Sequence, residues 1–166
     1  MLYKVLSLLF IVWEVSAVYY EAEDKYSSSV CPQYWYPYKD SCYRFFDYEV
    51  NWSLAESECR LYGFNSHLVS IHSVDENDFV FAFQGGFNNM WIGLNDAAET
   101  GTYRWSDGSP FDFYTWQPDQ PDHSCGLRCS SDCVEMAAWS SYSDRWNDED
   151  CDQNRRFICK QPQTLA

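Results

Sequence analysis

The chain has 166 residues, which is enough for one domain with a hydrophobic core. Its net charge of -14 and its pI of about 4.3 argue against nucleic-acid partners and anionic membranes, because phosphate repels such a surface. The same charge fits a protein that binds cations, a mineral or a basic partner, and it equally fits a protein whose charge serves solubility alone.

The first 17 residues have the pattern of a secretory signal peptide. Lys4 supplies a positive charge, residues 5–13 are apolar, and Val15-Ser16-Ala17 is a small-residue cleavage site. The apolar run is too short to span a bilayer. We therefore expect segment 1–17 to be removed and the mature protein to be secreted and extracellular, without membrane insertion.

The composition after residue 17 divides the mature chain into three segments. Residues 18–30 are polar, acidic and serine-rich, which predicts a flexible tail. A folded domain is expected over 31–160, followed by a short C-terminal tail over 161–166. The sequence has eight cysteines, which implies disulfides in a secreted chain, but eight cysteines allow 105 connectivities.

The first half of the folded domain contains a hairpin and two helices. Residues 31–42 are aromatic and rich in turn residues, which predicts a hairpin whose terminal cysteines lie close enough to bridge. Residues 51–62 predict a helix that Asn51 caps and Gly63 ends. A second helix, capped by Ser73 or Asp75, is expected to run to residue 83.

Strand patterns and one long loop complete the domain. The strands are expected at 67–71, 90–94, 103–105, 133–139 and 156–160. Residues 106–132 are rich in Pro, Asp, Ser and Gly, and a loop of this length in a compact domain is usually functional. The predicted fold class is α+β, with two helices, short strands and one long loop.

The long loop repeats one triplet, Gln117-Pro118-Asp119 and then Gln120-Pro121-Asp122. Each triplet sets an amide oxygen and a carboxylate on either side of a proline. Calcium takes six to eight oxygen ligands, so either triplet has the donor chemistry for this cation.

In this order, the elements and motifs resemble the C-type lectin-like domain, over residues 31–159. The motifs that carry the resemblance are Cys31 and Cys42, Cys59, Trp91-Ile92-Gly93-Leu94, Trp105-Ser106-Asp107-Gly108, Cys133, Trp146-Asn147-Asp148, Cys151 and Cys159. One of these motifs alone would be weak, whereas the ordered set is specific. The resemblance implies a C-type lectin-like fold whose long loop is held by disulfides.

The resemblance also implies a disulfide pattern. The pairs are Cys31–Cys42, which marks the long form of the domain, Cys59–Cys159, and Cys133–Cys151 at the base of the loop. Cys125 and Cys129 have no counterpart in the common pattern, and we expect them to pair with each other. A covalent dimer and a zinc site with His123 are the alternatives, and an oxidising compartment disfavours the zinc site.

The resemblance selects the second triplet as the binding one. In the family the triplet follows a tryptophan after three residues, and Trp116 with its spacer places Gln120-Pro121-Asp122 there. Asn147 and Asp148 are the implied second half of the site. These four side chains, Gln120, Asp122, Asn147 and Asp148, are the expected ligands of Ca2+ and of the sugar, and a cis bond before Pro121 is expected.

The implied ligand is a galactose-type glycan. Within the family, Glu-Pro-Asn accompanies mannose-type sugars, and Gln-Pro-Asp accompanies galactose and N-acetylgalactosamine. The implied partners are therefore galactose-type glycans on glycoproteins or microbial surfaces. No tryptophan follows Asp122 to stack on the sugar, and His123 is the candidate for that role. A single sugar site binds weakly, so a homo-oligomer that gains avidity is an open alternative.

The sequence departs from the family pattern at Ser131, where the family has a glutamate that binds both calcium and sugar. The remaining side chains and one backbone carbonyl supply roughly five oxygens, and two hydroxyls or waters bring the total into calcium's range. We therefore expect a working but weaker site. An auxiliary calcium site is less well supported, since Asp96 and Asp132 match it but Thr100 replaces a carboxylate.

Several other residues have expected roles. Asn51-Trp52-Ser53 is an N-glycosylation sequon, with an unmodified helix cap as the alternative. Glu135 is expected to be a surface charge or a ligand contact, and Asp119 a solvated loop acid. Structural or surface roles are expected for His67 and His72. Core positions are expected for the tryptophans Trp91, Trp105, Trp139 and Trp146.

Two other classes of function compete with a lectin. A calcium-independent protein-binding or matrix- and mineral-associated protein fits the loss at Ser131 and the net charge of -14. An enzyme is not expected, because the sequence has no Gly-x-Ser-x-Gly or zinc-protease motif, and its paired acids match a metal site.

Overall fold

The computed structural model describes residues 29–86, 89–123, 131–138 and 144–165. Two helices are formed in these ranges, α1 over Trp52–Arg60 and α2 over Val74–Phe83. The strands are β1 Ser29–Val30, β2 Tyr36–Tyr38, β3 Ser41–Val50, β4 His67–Leu68, β5 Met90–Asn95, β6 Arg104–Trp105, β7 Ser131–Met136, β8 Trp146–Asp150, β9 Arg155–Pro162 and β10 Thr164–Leu165. The observed class is α+β, as predicted.

The main sheet follows the order β2-β3-β9-β5-β7-β8, and it is antiparallel except where β5 pairs with β9 in parallel. Strands β4 and β6 pair with β9 and β5, outside this path. Strand β8 therefore has β7 on one side and ends the path on the other. The exposed side of β8 is where the long loop is attached.

Both helix caps are the predicted ones. The side chain of Asn51 accepts the N–H of Leu54 at 2.9 Å, and Ser73, one of the two predicted candidates, caps α2 by accepting from Glu76. Each cap satisfies a backbone donor that the first helical turn leaves without a partner.

Strand lengths and the chain ends differ from the sequence-based expectation. Strand β3 has 10 residues, whereas the sequence predicted a hairpin ending at Cys42. Strand β4 is shorter than predicted, with 2 residues. Strands β1 and β10 pair with each other, so the folded part includes residues that the sequence assigned to both tails.

Within the described ranges three disulfides are formed, and they are the pairs that the family resemblance implies. Cys31–Cys42 closes the first hairpin, Cys59–Cys159 joins α1 to β9 across 100 residues, and Cys133–Cys151 joins β7 to the turn after β8. Closing a loop of 100 residues stabilises a fold by about 4.7 kcal/mol in the chain-entropy treatment. Cys125 and Cys129 lie outside the described residues.

Three of the four tryptophans predicted to be in the core are buried there. Trp91 and Trp146 are fully buried, and Trp105 is 3% exposed. Trp105 and Trp146 meet edge to face, with ring centroids 5.6 Å apart. Trp139 lies outside the described residues. The cluster around Trp105 and Trp146 lies directly beneath the long loop.

A polar group is buried beside this core. The Oε1 atom of Glu76 accepts from the Tyr43 hydroxyl at 2.6 Å and from Lys160 Nζ at 2.7 Å, and its Oε2 accepts the N–H of His72 at 2.9 Å. Burial alone would raise the pKa of Glu76, but Lys160 and these hydrogen bonds outweigh burial and hold that pKa below its ordinary value.

None of the helices in the described part of the chain combines the length and apolar character needed to cross a bilayer.

The first prediction concerns the cap of α1. Replacing Asn51 by Ala removes the acceptor for the Leu54 N–H, so we expect a loss of about 1 kcal/mol in the free energy of unfolding. The measurement is thermal or urea unfolding of unglycosylated protein. The matched control is Asn51→Asp, which keeps an acceptor oxygen and should retain most of the stability. Equal stability of the Ala variant and the wild type would show that the cap contributes nothing.

The second prediction concerns the ion pair of Glu76. Because its pKa is lowered in the folded state, its contribution to stability is present above its ordinary value of 4.5 and is lost as the pH falls through the folded-state pKa. We expect Glu76→Gln to cost about 3 kcal/mol at neutral pH, since Lys160 loses its partner in a buried setting.

Urea unfolding across pH 3 to 7 tests this, since the difference between Glu76→Gln and the wild type should shrink in acid. Asp75→Asn is the control, because Asp75 and its partner Lys39 are both exposed and 4.0 Å apart. A deficit of the Gln variant that is constant across this range would contradict the assignment.

Candidate functional site

The long loop is attached to the free side of β8 by backbone hydrogen bonds. The N–H of Trp146 donates to the carbonyl of Thr115 at 2.9 Å, and the N–H of Gln117 donates to the carbonyl of Trp146 at 2.9 Å. Trp116 and Trp146 are thereby paired in parallel, and their rings meet edge to face at 6.0 Å. This attachment fixes the start of the repeated triplets beside Asn147 and Asp148.

The carboxylate of Asp148 connects β8 to the second triplet. Its Oδ1 accepts the N–H of Asp122 at 3.1 Å, and its Oδ2 accepts the N–H of His123 at 2.8 Å. Asp148 is 8% exposed, so both bonds form in a largely dry setting. These two donors satisfy both oxygens of a largely buried carboxylate.

The side chain of Gln120 meets the same backbone N–H, that of Asp122. The Oε1 atom of Gln120 also accepts the N–H of Asp122, at 3.0 Å. The amide oxygen of Gln120 and the carboxylate of Asp148 therefore surround one backbone nitrogen. The bond between Gln120 and Pro121 is cis, as the resemblance implies. Asp119 of the first triplet is exposed, as predicted, and so is Asp122.

Asn147 turns toward the other side of β8. Its Nδ2 donates to Oε1 of Glu135 on β7 at 3.4 Å. Glu135 is 2% exposed, so the expectation that it is a surface charge was wrong. The structure thus joins Gln120, Asp122 and Asp148 through direct contacts, and it places Asn147 next to them with its amide nitrogen toward β7.

His123 and Asp96 extend the site in a way that sequence reasoning described only in part. His123 Nδ1 lies 3.7 Å from Asp148 Oδ2 and 3.9 Å from Asp96 Oδ2, and its ring stacks on Tyr103 with centroids 6.2 Å apart. Burial raises the pKa of Asp96, and the nearby charge of Asp148 adds to this. One face of the His123 ring lies against Tyr103 and the residue remains exposed, so its role as a sugar platform stays a prediction.

The donor chemistry fits calcium. Gln120 and Asn147 have amide oxygens, Asp122 and Asp148 have carboxylates, and a hard cation prefers oxygen ligands of these kinds. The Oδ1 atom of Asp96 is buried and has no hydrogen-bond partner in the described part of the chain, which is unusual for a charged oxygen. Within the same ranges, no three acidic, histidine or cysteine side chains are grouped closely enough to form a metal site on their own.

The calcium set would therefore consist of Gln120, Asp122, Asn147 and Asp148, two amides and two acids. For Ser131, which stands where the family has its shared glutamate, and for Asp132 of the auxiliary site, only the backbone is described, in β7. Thr100 and Glu99 lie in the turn after β5, and Glu99 pairs with Arg104 at 3.7 Å.

None of the described site residues lines the cavity that residues of β3, β4 and β9 help to form. This cavity of about 370 Å³ lies elsewhere, lined among others by His67, Asp107 and Lys160. His67 is buried and bonds Glu56 at 2.7 Å, and His72 bonds Asp112 at 2.8 Å, which agrees with the structural roles expected for both histidines.

The chain is similar to known proteins in sequence and in fold. The family described as "Lectin C-type domain" matches residues 48–161. Two curated relatives have similar sequences over 138 residues, 81% of this chain and 85% of theirs. The C-type lectin galactose-binding isoform of Pseudechis porphyriacus is 36% identical, and the C-type lectin mannose-binding isoform of Oxyuranus scutellatus is 38% identical.

A solved structure, that of a calcium-independent type II antifreeze protein, superposes with a TM-score of 0.72 at 29% identity, over 84% of this chain and 99% of the other. The family match covers well over half of the chain, and both relatives exceed 30% identity. On this evidence, and with the fold, disulfides and loop attachment described above, the chain belongs to the C-type lectin domain family.

Proposed function

We propose that this protein is a secreted lectin that binds galactose-type glycans in a calcium-dependent manner. The observation that carries the proposal is the carboxylate of Asp148, which accepts the N–H groups of Asp122 and His123 and so places the second triplet against β8. These two bonds join the two halves of the site, because Asp148 comes 26 residues after Asp122 and 25 residues after His123.

Bound calcium would supply open coordination positions for two neighbouring sugar hydroxyls. The protein supplies the remainder of the recognition. The carboxylate oxygens of Asp122 and Asp148 accept hydrogen bonds from the sugar hydroxyls. The amide N–H groups of Gln120 and Asn147 donate hydrogen bonds to the oxygens of the same hydroxyls. The same four side chains thus serve metal and sugar, so removal of calcium should abolish sugar binding.

The order of amide and acid in Gln120-Pro121-Asp122 supports galactose over mannose, by the family resemblance. One similar relative is called a galactose-binding isoform, and another a mannose-binding isoform. Family membership alone therefore does not choose between these sugars. The selectivity of this chain has to be determined by comparing its binding to galactose with its binding to mannose.

The second candidate function is calcium-independent binding of a protein, a matrix component or a mineral. Two observations favour it, namely Ser131 in place of the usual glutamate and the similarity to a calcium-independent antifreeze protein. The net charge of -14 adds an attraction to mineral surfaces. Binding to calcium carbonate that persists in an Asp122→Asn variant would favour this candidate.

The third prediction uses the two triplets as matched controls. The mature protein should be retained on immobilised galactose with calcium and released by EDTA. Asp122→Asn should abolish retention because it removes one of two carboxylates of the site. Asp119→Asn, the same change three residues earlier in an exposed position, should leave retention unchanged.

Retention of the Asp122→Asn variant on galactose would contradict this assignment of the triplets. Passage of the wild type through galactose and mannose columns alike would reject the sugar-binding proposal. Retention on mannose alone would reject the selectivity and keep the calcium site.

The fourth prediction concerns calcium and Ser131. Calcium that binds only the folded state should raise the free energy of unfolding by about 2.7 kcal/mol at 100 times its dissociation constant. Ser131→Glu restores the family's carboxylate and should tighten calcium binding by about tenfold, on the scale of one charge-assisted ligand. Calorimetric melting with calcium, magnesium or EDTA measures both effects. An equal melting temperature in calcium and EDTA for both proteins would contradict the prediction.

A further inference from the structure

We propose that Glu135, a buried carboxylate of β7, positions the side-chain amide of Asn147 so that its oxygen faces the binding loop. The inference rests on the proposed function, since it assigns a positioning residue to the same site.

Strand β8 lies between two different neighbours. On one side β7 pairs with it, with Asn147 directly opposite Glu135 and Trp146 opposite Met136. On the other side the backbone of Thr115 and Gln117 bonds Trp146. A group of Asn147 that points to β7 therefore points away from the loop, and the opposite end of its amide points toward the loop.

The carboxylate of Glu135 decides which end points to β7. An ionised carboxylate only accepts hydrogen bonds, so only the nitrogen of the Asn147 amide can face it. The Nδ2–Oε1 distance is 3.4 Å, a long bond, but the same Oε1 accepts from Asn89 Nδ2 at 2.7 Å. Both amides direct their nitrogens at this oxygen because the carboxylate of Glu135 can only accept hydrogen bonds.

Glu135 is itself held in place as an acceptor. Its Oε2 accepts from Nε of Arg155, whose Nη2 also donates to Glu149 at 3.2 Å and whose guanidinium lies 5.7 Å from the ring centroid of Trp91. Burial raises the pKa of Glu135, and Arg155 opposes this shift. With its side chain 3% exposed and its oxygens engaged, Glu135 is unsuited to contact a sugar and well suited to orient a neighbour.

The consequence is a preset acceptor. The oxygen of Asn147 is directed toward the loop before any ligand binds, and one hydrogen of Nδ2 remains after the other is directed at Glu135. Partners that orient a metal ligand in this way typically affect metal affinity by about 10-fold to 100-fold when they are changed.

The test is Glu135→Gln, an isosteric change whose effect follows from Arg155. A guanidinium only donates, so the oxygen of the new amide must remain at the Oε2 position and its nitrogen must take the Oε1 position. Two amide nitrogens would then face each other. Asn147 has to rotate its amide, which turns its oxygen away from the loop.

Glu149→Gln is the matched control. It removes the other carboxylate that bonds Arg155 and has no described bond to Asn147. The side-chain amide signals of Asn147 are identified in the 15N NMR spectrum of calcium-free protein by their loss in Asn147→Asp. Calcium affinity is measured by calorimetry, and thermal melting verifies that each variant is folded.

We expect Glu135→Gln to move the Asn147 amide signals and to weaken calcium binding by about tenfold or more, whereas Glu149→Gln changes affinity by less than about twofold. Unchanged amide signals in Glu135→Gln would overturn the inference, as would wild-type calcium affinity in that variant. If the wild type binds no calcium, the proposed function fails, and the amide signals of the calcium-free proteins decide this inference alone.

Discussion

The site depends on two backbone hydrogen bonds that attach the long loop to β8, from Trp146 to Thr115 and from Gln117 to Trp146. They act between main-chain groups, so they fix the position of the loop whatever side chains follow. The ring of Trp146 beneath them is buried and packs on Trp105, so the residue that receives the loop is part of the core. Without it, the second triplet would have no fixed relation to Asp148.

Successive residues of β8 serve three environments. Trp146 enters the core, Asn147 turns toward Glu135 on β7, and Asp148 reaches the loop. Alternation along a strand puts Trp146 and Asp148 on one face of the sheet and Asn147 on the other, the face that also carries its directly opposite partner Glu135. A short motif can therefore link core, sheet and binding loop, and a shift of one residue in register would exchange all three environments.

Sequence patterns predicted the elements that depend on neighbours in the chain. The caps at Asn51 and Ser73 were predictable because a capping side chain bonds an N–H only three residues away. The full length of β3 was not, since its partner β9 lies more than 100 residues later and no local pattern reports that pairing.

For the site, the resemblance supplied Gln120, Asp122, Asn147 and Asp148, but not the contacts that hold them. Glu135 could have been singled out as a charge within the apolar pattern 133–139, yet its partners Asn89 and Arg155 come from distant parts of the chain. Likewise, nothing in the sequence placed Asp96 and Asp148 near the same nitrogen of His123. Such convergence is set by the tertiary fold, and only the coordinates reveal it.

The absence of a carboxylate at position 131 has one effect on the affinity for a cation and another on the positions of the remaining oxygen ligands. A missing ligand lowers the charge available to a cation, but the remaining oxygens are already held in place by the protein. Both oxygens of Asp148 accept backbone N–H groups, and a carboxylate has about four acceptor positions, so capacity for a metal remains. Because ordering a site costs free energy that a preformed site does not require at binding, this organisation offsets part of the missing charge. Under the proposed function, the strength of calcium binding would depend on how firmly Asp148 and Asn147 are held, and this would link the affinity of the loop to Glu135 on β7.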